Sequence, residues 1–359
     1  MHGRSGAEFG INLAGAEFGA LQPEFSTSNP GTHGTDYFFP TEQCLAYFAQ
    51  RGLKLIRLPV SWERLQAQPS STLNELYLQR ILEFMNLAAQ NQCRVVVDLH
   101  NYGRYRHTHG QDVREHKVTS TICDTNTLGS KDLADLWIRV SKRIGQHTAL
   151  HAYGLMNEPH DMGNHDWHTT SKDVVSALRN SGDRNWIWVS GDGWSKAHDW
   201  TKHNPSKPWI SDKLNKVAYE AHVYFDADSS GRYHLSFDQE QDRDPNIAQR
   251  SVKRLQPFSD WCAKNQVTGI IGEYGIPWND EGWLSLLDTF LMEIRRNHMT
   301  ACAWAAGDMW GDYNLSLQPR GGNDVSPLEV ILRHAALTQR DRSDNSTPTP
   351  GRKSGSTPR

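Results

Sequence analysis

The stretch Ala149-Leu-His-Ala-Tyr-Gly-Leu-Met-Asn-Glu158 decides the fold. It is a compact, mostly apolar run that closes on two polar residues and is stopped by Pro159. A strand buried on both faces reads this way, with its polar groups gathered at one end. Seven other segments follow the same rule: Gly10–Glu17, Leu53–Val60, Arg94–His100, Trp186–Gly191, Val217–Tyr224, Gly269–Gly275 and Ala301–Gly307. Most lie about 30–50 residues apart, which leaves room for one helix and two loops.

Helical periodicity fills the gaps. Leu78, Ile81, Leu82 and Met85 form one apolar stripe; Leu133, Leu136, Trp137, Val140 and Ile144 a second; Leu284, Leu287, Leu291 and Ile294 a third. Thr41 suits an N-cap and Gly52 a C-terminal stop. Strand and helix thus alternate about eight times, which predicts an α/β protein with a parallel sheet and helical crossovers. Eight repeats fit a closed (β/α)8 TIM barrel. A doubly wound open sheet is the alternative, but it would often carry a phosphate loop, and neither G-x-G-x-x-G nor G-x-x-x-x-G-K-[ST] occurs.

The 359 residues suit one barrel domain, expected over 10–338. Gly6-Ala-Glu-Phe-Gly10 repeats as Gly15-Ala-Glu-Phe-Gly19, so 1–9 reads as an N-terminal extension, a cloning remnant or a fortuitous repeat, with no signal-peptide pattern. Residues 339–359 lack periodic apolar positions and read as a disordered Ser/Thr/Pro-rich tail or linker.

A net charge of −3 with scattered Lys and Arg argues against a nucleic-acid partner, and no apolar run approaches a membrane span. A monomer is expected. The five cysteines, Cys44, Cys93, Cys123, Cys262 and Cys302, read as buried free thiols, with one disulfide as the alternative. Several of the 13 Trp (Trp62, Trp194, Trp278, Trp310) sit among Gly, Asp and Asn, where a flat ring serves either as a platform for a sugar or as a wedge under a loop.

In a barrel the chemistry stands where the strands end. Those ends here carry Arg57; His100-Asn101-Tyr102; Asn157-Glu158; His222 and Tyr224; Glu273; and Trp304. Glu158 and Glu273 come from strands four and seven of the barrel, on opposite walls. Two carboxylates with separate tasks, one acid and one nucleophile or base, are what glycosidic cleavage needs. Any single Glu would more simply be a solvated cap partner.

Other signals carry less. His107, His109 and His116, like His160, His165 and His168, cluster in apparent loops without metal-site spacing, so no metal is expected, and no cofactor. Asp226-Ala-Asp-Ser-Ser-Gly231 opens like a calcium loop, but Phe237 stands where the bidentate Glu belongs. Ser190-Gly-Asp-Gly193 with Ser195 is not a nucleophile elbow.

The sequence resembles glycoside hydrolase family 5, the cellulase family. The matching stretches are Ile56-Arg-Leu-Pro59 with Trp62-Glu-Arg-Leu-Gln66, Asp98-Leu-His-Asn-Tyr102, Leu155-Met-Asn-Glu-Pro-His160, Ala221-His-Val-Tyr224, Ile271-Gly-Glu-Tyr-Gly275 and Trp304-Ala-Ala-Gly307 followed by Trp310-Gly-Asp-Tyr313. They occur in the family's order over roughly Gly10 to Ala336. Asn12-Leu-Ala-Gly-Ala-Glu-Phe18 points to the endoglucanase branch. The resemblance implies Glu158 as acid/base, Glu273 as nucleophile, and Asn157 on the sugar 2-hydroxyl. It implies that Arg57 and Tyr224 orient the nucleophile, and that His100 and His222 line the cleavage subsite. It implies Trp304 as the stacking floor, with Asn101, Tyr102, Trp194 and Trp310 as further substrate contacts. The expected activity is retaining, endo-acting hydrolysis of β-1,4-glucan by a secreted enzyme, with transglycosylation as a side outcome. Mannan, xylan or xyloglucan as substrate is the alternative, and a glycan-binding protein without turnover a more distant one.

Overall fold

The computed structural model describes residues 6–109, 112–120, 127–162 and 167–346. Eleven strands occur among them: β1 (Glu8–Leu13), β2 (Leu55–Val60), β3 (Arg94–Leu99), β4 (Arg104–His109), β5 (Asp112–Thr119), β6 (Thr127–Gly129), β7 (Leu150–Gly154), β8 (Trp186–Ser190), β9 (Val217–Tyr224), β10 (Thr268–Gly275) and β11 (Thr300–Ala306). Eight close into a parallel barrel in the order β1-β11-β10-β9-β8-β7-β3-β2. These are the eight strands expected from the sequence, with ends displaced by a few residues. Helices pack outside them, and their apolar stripes are the predicted ones: Leu78, Ile81 and Met85 are buried on Glu75–Gln90, and Leu133, Leu136, Trp137, Val140 and Ile144 on Ser130–Ile144.

The barrel interior is layered. Leu55, Val96, Ala152, Trp188, Ala218, Ile270 and Cys302, one from each of seven strands, form a buried apolar plug. The eighth strand brings Gly10, where a Cβ would stand 2.4 Å from the Leu55 carbonyl, so only glycine fits. Side chains on one face of a strand recur every second residue. Two residues further along, the same strands carry Asn12, Arg57, Asp98, Gly154, Ser190, Glu220, Gly272 and Trp304. An apolar floor therefore lies beneath a layer of polar and small residues that has one large ring, Trp304, and the site stands above that floor.

Three expectations change. First, β4, β5 and β6 form a small sheet outside the barrel, and β4–β5 is an antiparallel hairpin. His107 and His116 lie on it and His168 lies in the helix Trp167–Asn180, so these are not loop positions. His109 ends β4; His165 lies outside the described residues. The stretch Arg104-Tyr-Arg-His-Thr-His109 has a polar residue at nearly every position, which hides its strand character. Second, Glu8 and Phe9, expected in the N-terminal extension, pair with Thr300 and Ala301, and Phe9 is buried. Third, the last helix runs Ser326–Ser346, into the expected tail. After Pro327 in its first turn it meets no Gly or Pro before Pro348, and Arg295 pairs with Asp341.

Cys44, Cys93, Cys262 and Cys302 are buried free thiols; Cys123 lies outside the described residues. Asp226 uses its carboxylate locally, accepting from Ser230 Oγ and the Gly231 and Tyr233 N–H groups.

Candidate active site

Arg57 is the hub. It is fully buried at the middle of β2, and its guanidinium meets five partners. Nη1 donates to Asn12 Oδ1 at 2.9 Å and to Glu273 Oε1 at 3.1 Å; Nη2 donates to Asn157 Oδ1 at 2.7 Å. Ion pairs reach Asp98 at 3.0 Å and Glu220 at 3.1 Å. A buried cation needs partners of this kind, and here they are the carboxylates of three strands. Asn12 is itself fixed, donating to the carbonyls of Gly272 at 2.9 Å and Ala303 at 3.1 Å.

Glu273, on β10, is 4% exposed and held from both sides. Arg57 serves one oxygen, and Tyr224 Oη donates to the other at 2.8 Å. Burial, followed by the nearby Glu273 charge, pushes the Tyr224 phenol well above its usual range, so it stays a donor. The β9–β10 pairing slips by one residue between Ile271 and Glu273, a bulge at Gly272 that re-aims the next side chain.

Glu158 follows β7 in a left-handed conformation, φ +41°. A non-glycine residue in that region is strained, and such strain gathers at functional sites. Its Oε1 lies 2.7 Å from His222 Nδ1, while His222 Nε2 lies 3.4 Å from Glu220 Oε1. Burial lowers the pKa of His222, but Glu273 and the bonds to Glu158 and Glu220 outweigh it and push the ring up to about 10. His100 is its opposite. Burial brings it down to about 4, with Glu273 opposing and Arg57 assisting. His100 is thus neutral, and its bond to Asp98 at 3.0 Å assigns the proton to Nδ1. Nε2 is left to accept from Asn157 Nδ2 at 3.3 Å.

One donor atom each of Glu158, His222 and Glu273 lie within 4.8 Å of one another, the grouping among the described residues that could hold a metal. His222 Nδ1 lies 2.7 Å from Glu158 Oε1 and 3.6 Å from Glu273 Oε2, so the three groups are partners of one another.

Trp304 stacks on His100, ring centres 5.3 Å apart and planes 10° from parallel, and its Nε1 donates to Tyr313 Oη. A cleft of about 750 Å³ opens over the site, lined among others by His100, Asn101, Tyr102, Glu158, His222 and Tyr224. Trp194 lines it too, stacked on His160 at 4.2 Å. Trp310, like Glu273 and Trp304, is not among the residues that line this cleft. It packs between Phe18, Trp304 and Tyr313. Asn101 lines the cleft, but both ends of its amide are in use: Oδ1 accepts from Trp62 N–H and Nδ2 donates to Glu63. The structure therefore brings every residue singled out for the centre into one network. It adds Asn12, Asp98 and Glu220, which sequence reasoning missed. The Asp98-x-His100 and Glu220-x-His222 spacing, two residues apart on a strand and so on one face, was the available signal.

A parallel barrel with two close glutamates at its C-terminal rim, one clamped by an arginine and a tyrosine and one set against a histidine, is the arrangement of a glycoside-cleaving enzyme. The sequence matches the cellulase family, glycosyl hydrolase family 5, over residues 11–309, and the chain belongs to that family. It is 29% identical over 329 residues to a probable endo-beta-1,4-glucanase B of Aspergillus oryzae, covering 90% of this chain and 89% of that one. Among solved structures it resembles Pseudomonas stutzeri endoglucanase Cel5A in complex with cellobiose, with a TM-score of 0.78 and 34% identity over 91% of this chain and 92% of that one. XacCel5A in complex with cellopentaose gives 0.75 and 29%, over 91% and 98%.

Proposed function

We propose that the protein is a retaining endo-β-1,4-glucanase in which Glu273 attacks the anomeric carbon and Glu158 serves as acid, then base. The observation that carries this reading is the convergence of the two carboxylates. Retaining enzymes keep their carboxyl groups about 5–5.5 Å apart, whereas inverting ones leave room for a water, and here an oxygen of each lies within 4.8 Å. Glu273, with both oxygens bound by donors, suits the ionised nucleophile. Glu158, 17% exposed at the cleft, suits proton exchange with the leaving group and then with water. In the first step Glu158 gives its proton to the departing oxygen as Glu273 forms the glycosyl bond. In the second, Glu158 takes a proton from water, which displaces Glu273 with overall retention. A sugar hydroxyl in place of that water gives transglycosylation.

In this reading Asn157, tied to Arg57 and His100, serves the sugar 2-hydroxyl, and Trp304 lies under the reacting ring. Asn101, Tyr102, Trp194 and Trp310 are the further candidates for substrate contact. The relatives named as endoglucanases, and the cellobiose and cellopentaose in two of the solved structures, favour β-1,4-glucan over mannan, xylan or xyloglucan. A polymeric substrate calls for secretion. No helix among the described residues is long and apolar enough to cross a membrane.

Cellopentaose and mannopentaose digests with wild type, Glu158→Gln and Glu273→Gln test the proposal. Cleavage of cellopentaose alone, lost by several orders of magnitude in both variants and giving the β-anomer first by proton NMR, is the expected result. An α-anomer first would overturn the mechanism, and cleavage of mannopentaose instead would overturn the substrate.

A further inference from the structure

Two buried carboxylates under the site, Asp98 and Glu220, each follow the same plan. Each sits two residues before a site histidine, each pairs with Arg57, and each occupies space that a glycine leaves open on the next strand. A Cβ on Gly272 would stand 1.8 Å from Glu220 Oε1, and one on Gly154 would stand 2.6 Å from Asp98 Oδ1. Yet the histidines above them differ. His100 accepts from Asn157, whereas His222 faces carboxylates at both nitrogens.

We propose that Glu220 is a positioning residue for the acid/base: it holds His222 with a proton on each ring nitrogen, so that Nδ1–H stays aimed at Glu158 Oε1 and the other Glu158 oxygen is left to carry the transferable proton. The inference rests on the two-glutamate reading of the site. Glu220 is fully buried, its Oε1 is within 3.4 Å of His222 Nε2, and Ser190 Oγ donates to its Oε2 at 3.4 Å. The charged and titratable groups around the pair are Arg57 from β2, Asp98 and His100 from β3, Glu158 after β7, Glu273 from β10 and Cys302 from β11. Arg57 and His222 hold Glu220 below the usual carboxylate range against its burial, so it stays ionised. Asp98 is pushed up to about 7 by burial, against Arg57 and with Glu220 adding to the rise. When Glu158 releases its proton to the leaving oxygen, the carboxylate that forms already faces a charged donor at 2.7 Å, and no group has to move.

The test is nitrogen-15 NMR of the histidine rings in the full chain, with the His222 signals assigned by their loss in His222→Gln. In wild type both nitrogens are expected to be protonated through neutral pH and up to about pH 8. In Glu220→Gln the His222 titration is expected to fall by about 1–3 pH units. The kcat on cellopentaose at about pH 8 is expected to fall about tenfold or more while KM changes less than about threefold. A neutral His222 in the wild type at pH 7, or an unchanged titration in the variant, overturns the proposal. The wild-type spectrum decides even if Glu220→Gln does not fold. A wild type that cuts no cellopentaose would sink the functional reading while leaving this spectrum to judge Glu220.

Discussion

Asp98 and Gly154 are paired across β3 and β7, and a methyl group at Gly154 would stand 2.6 Å from Asp98 Oδ1 and 3.1 Å from its Cα. The catalytic centre is thus assembled from below. Asp98 supports Arg57, and Arg57 supports both Glu273 and Asn157. Gly154→Ala is expected to force Asp98 off Arg57 and to destabilise the protein by about 1–3 kcal/mol, the usual range for an overpacked core. Thermal melts should show the loss. Cellopentaose turnover should fall further than the remaining folded fraction explains, because the displaced side chain is linked through Arg57 to Glu273. A variant that melts and turns over as wild type does would show that Asp98 has another place to go.

Tyr224→Phe removes one donor from Glu273 and leaves the ring in place. A hydrogen bond to a charged group contributes about 1.5–3 kcal/mol. If that bond orients the nucleophile for attack, kcat falls about tenfold to a hundredfold while KM for cellopentaose stays within a few-fold. A rise in KM with kcat unchanged would instead make Tyr224 a substrate-binding residue.

Much of this was legible in the sequence, and for one reason. Strands buried on both faces with polar residues gathered towards one end mark a parallel sheet, and eight of them fit a closed barrel, so the eight strands and the ring of Arg57, His100, Asn157, Glu158, His222, Tyr224, Glu273 and Trp304 could be read together. The hairpin β4–β5 could not, because Arg104, Arg106 and His107 give it no apolar alternation. Its anchors are instead Tyr105, buried against Trp62, and the Arg106 N–H on Glu63. Asp98 and Glu220 were missed because a lone acid inside an apolar strand gives no sign of which cation it meets. That depended on Arg57, which lies 41 residues before Asp98 and 163 before Glu220 in the chain.

Glu17 shows what the Ala-Glu-Phe motif contributes to pH response. It is buried just past β1 and accepts from the Gly15 N–H at 2.9 Å. Burial pushes its carboxyl up to about 7, against the Gly15 bond and Arg64. The folded state therefore binds the Glu17 proton more tightly than the unfolded chain does. Stability from this group is complete below the unfolded value of 4.5, declines as pH rises to about 7, and is level above that. Glu17→Gln lacks the decline. Relative to wild type, the variant is expected to be least stable near pH 4 and to gain steadily up to about pH 7 in chemical denaturation. A stability difference that does not change with pH would show that Glu17 is ionised in the folded state.

Asn101 separates a brace from a substrate contact. Its amide joins Trp62 N–H at 2.8 Å to the Glu63 carboxylate at 2.8 Å, and that carboxylate also holds Ser61 Oγ and the Arg106 N–H. Glu63 is 4% exposed, and burial raises its pKa against those bonds. Removing the amide leaves a buried acceptor and a buried donor unmet, which costs about 1–3 kcal/mol. Asn101→Ala is therefore expected to lower the melting temperature and to loosen the hairpin, seen as faster amide exchange across β4 and β5. If KM for cellopentaose rises while the melt and the exchange of β4 and β5 stay at wild-type values, Asn101 acts on the sugar directly and the brace is incidental.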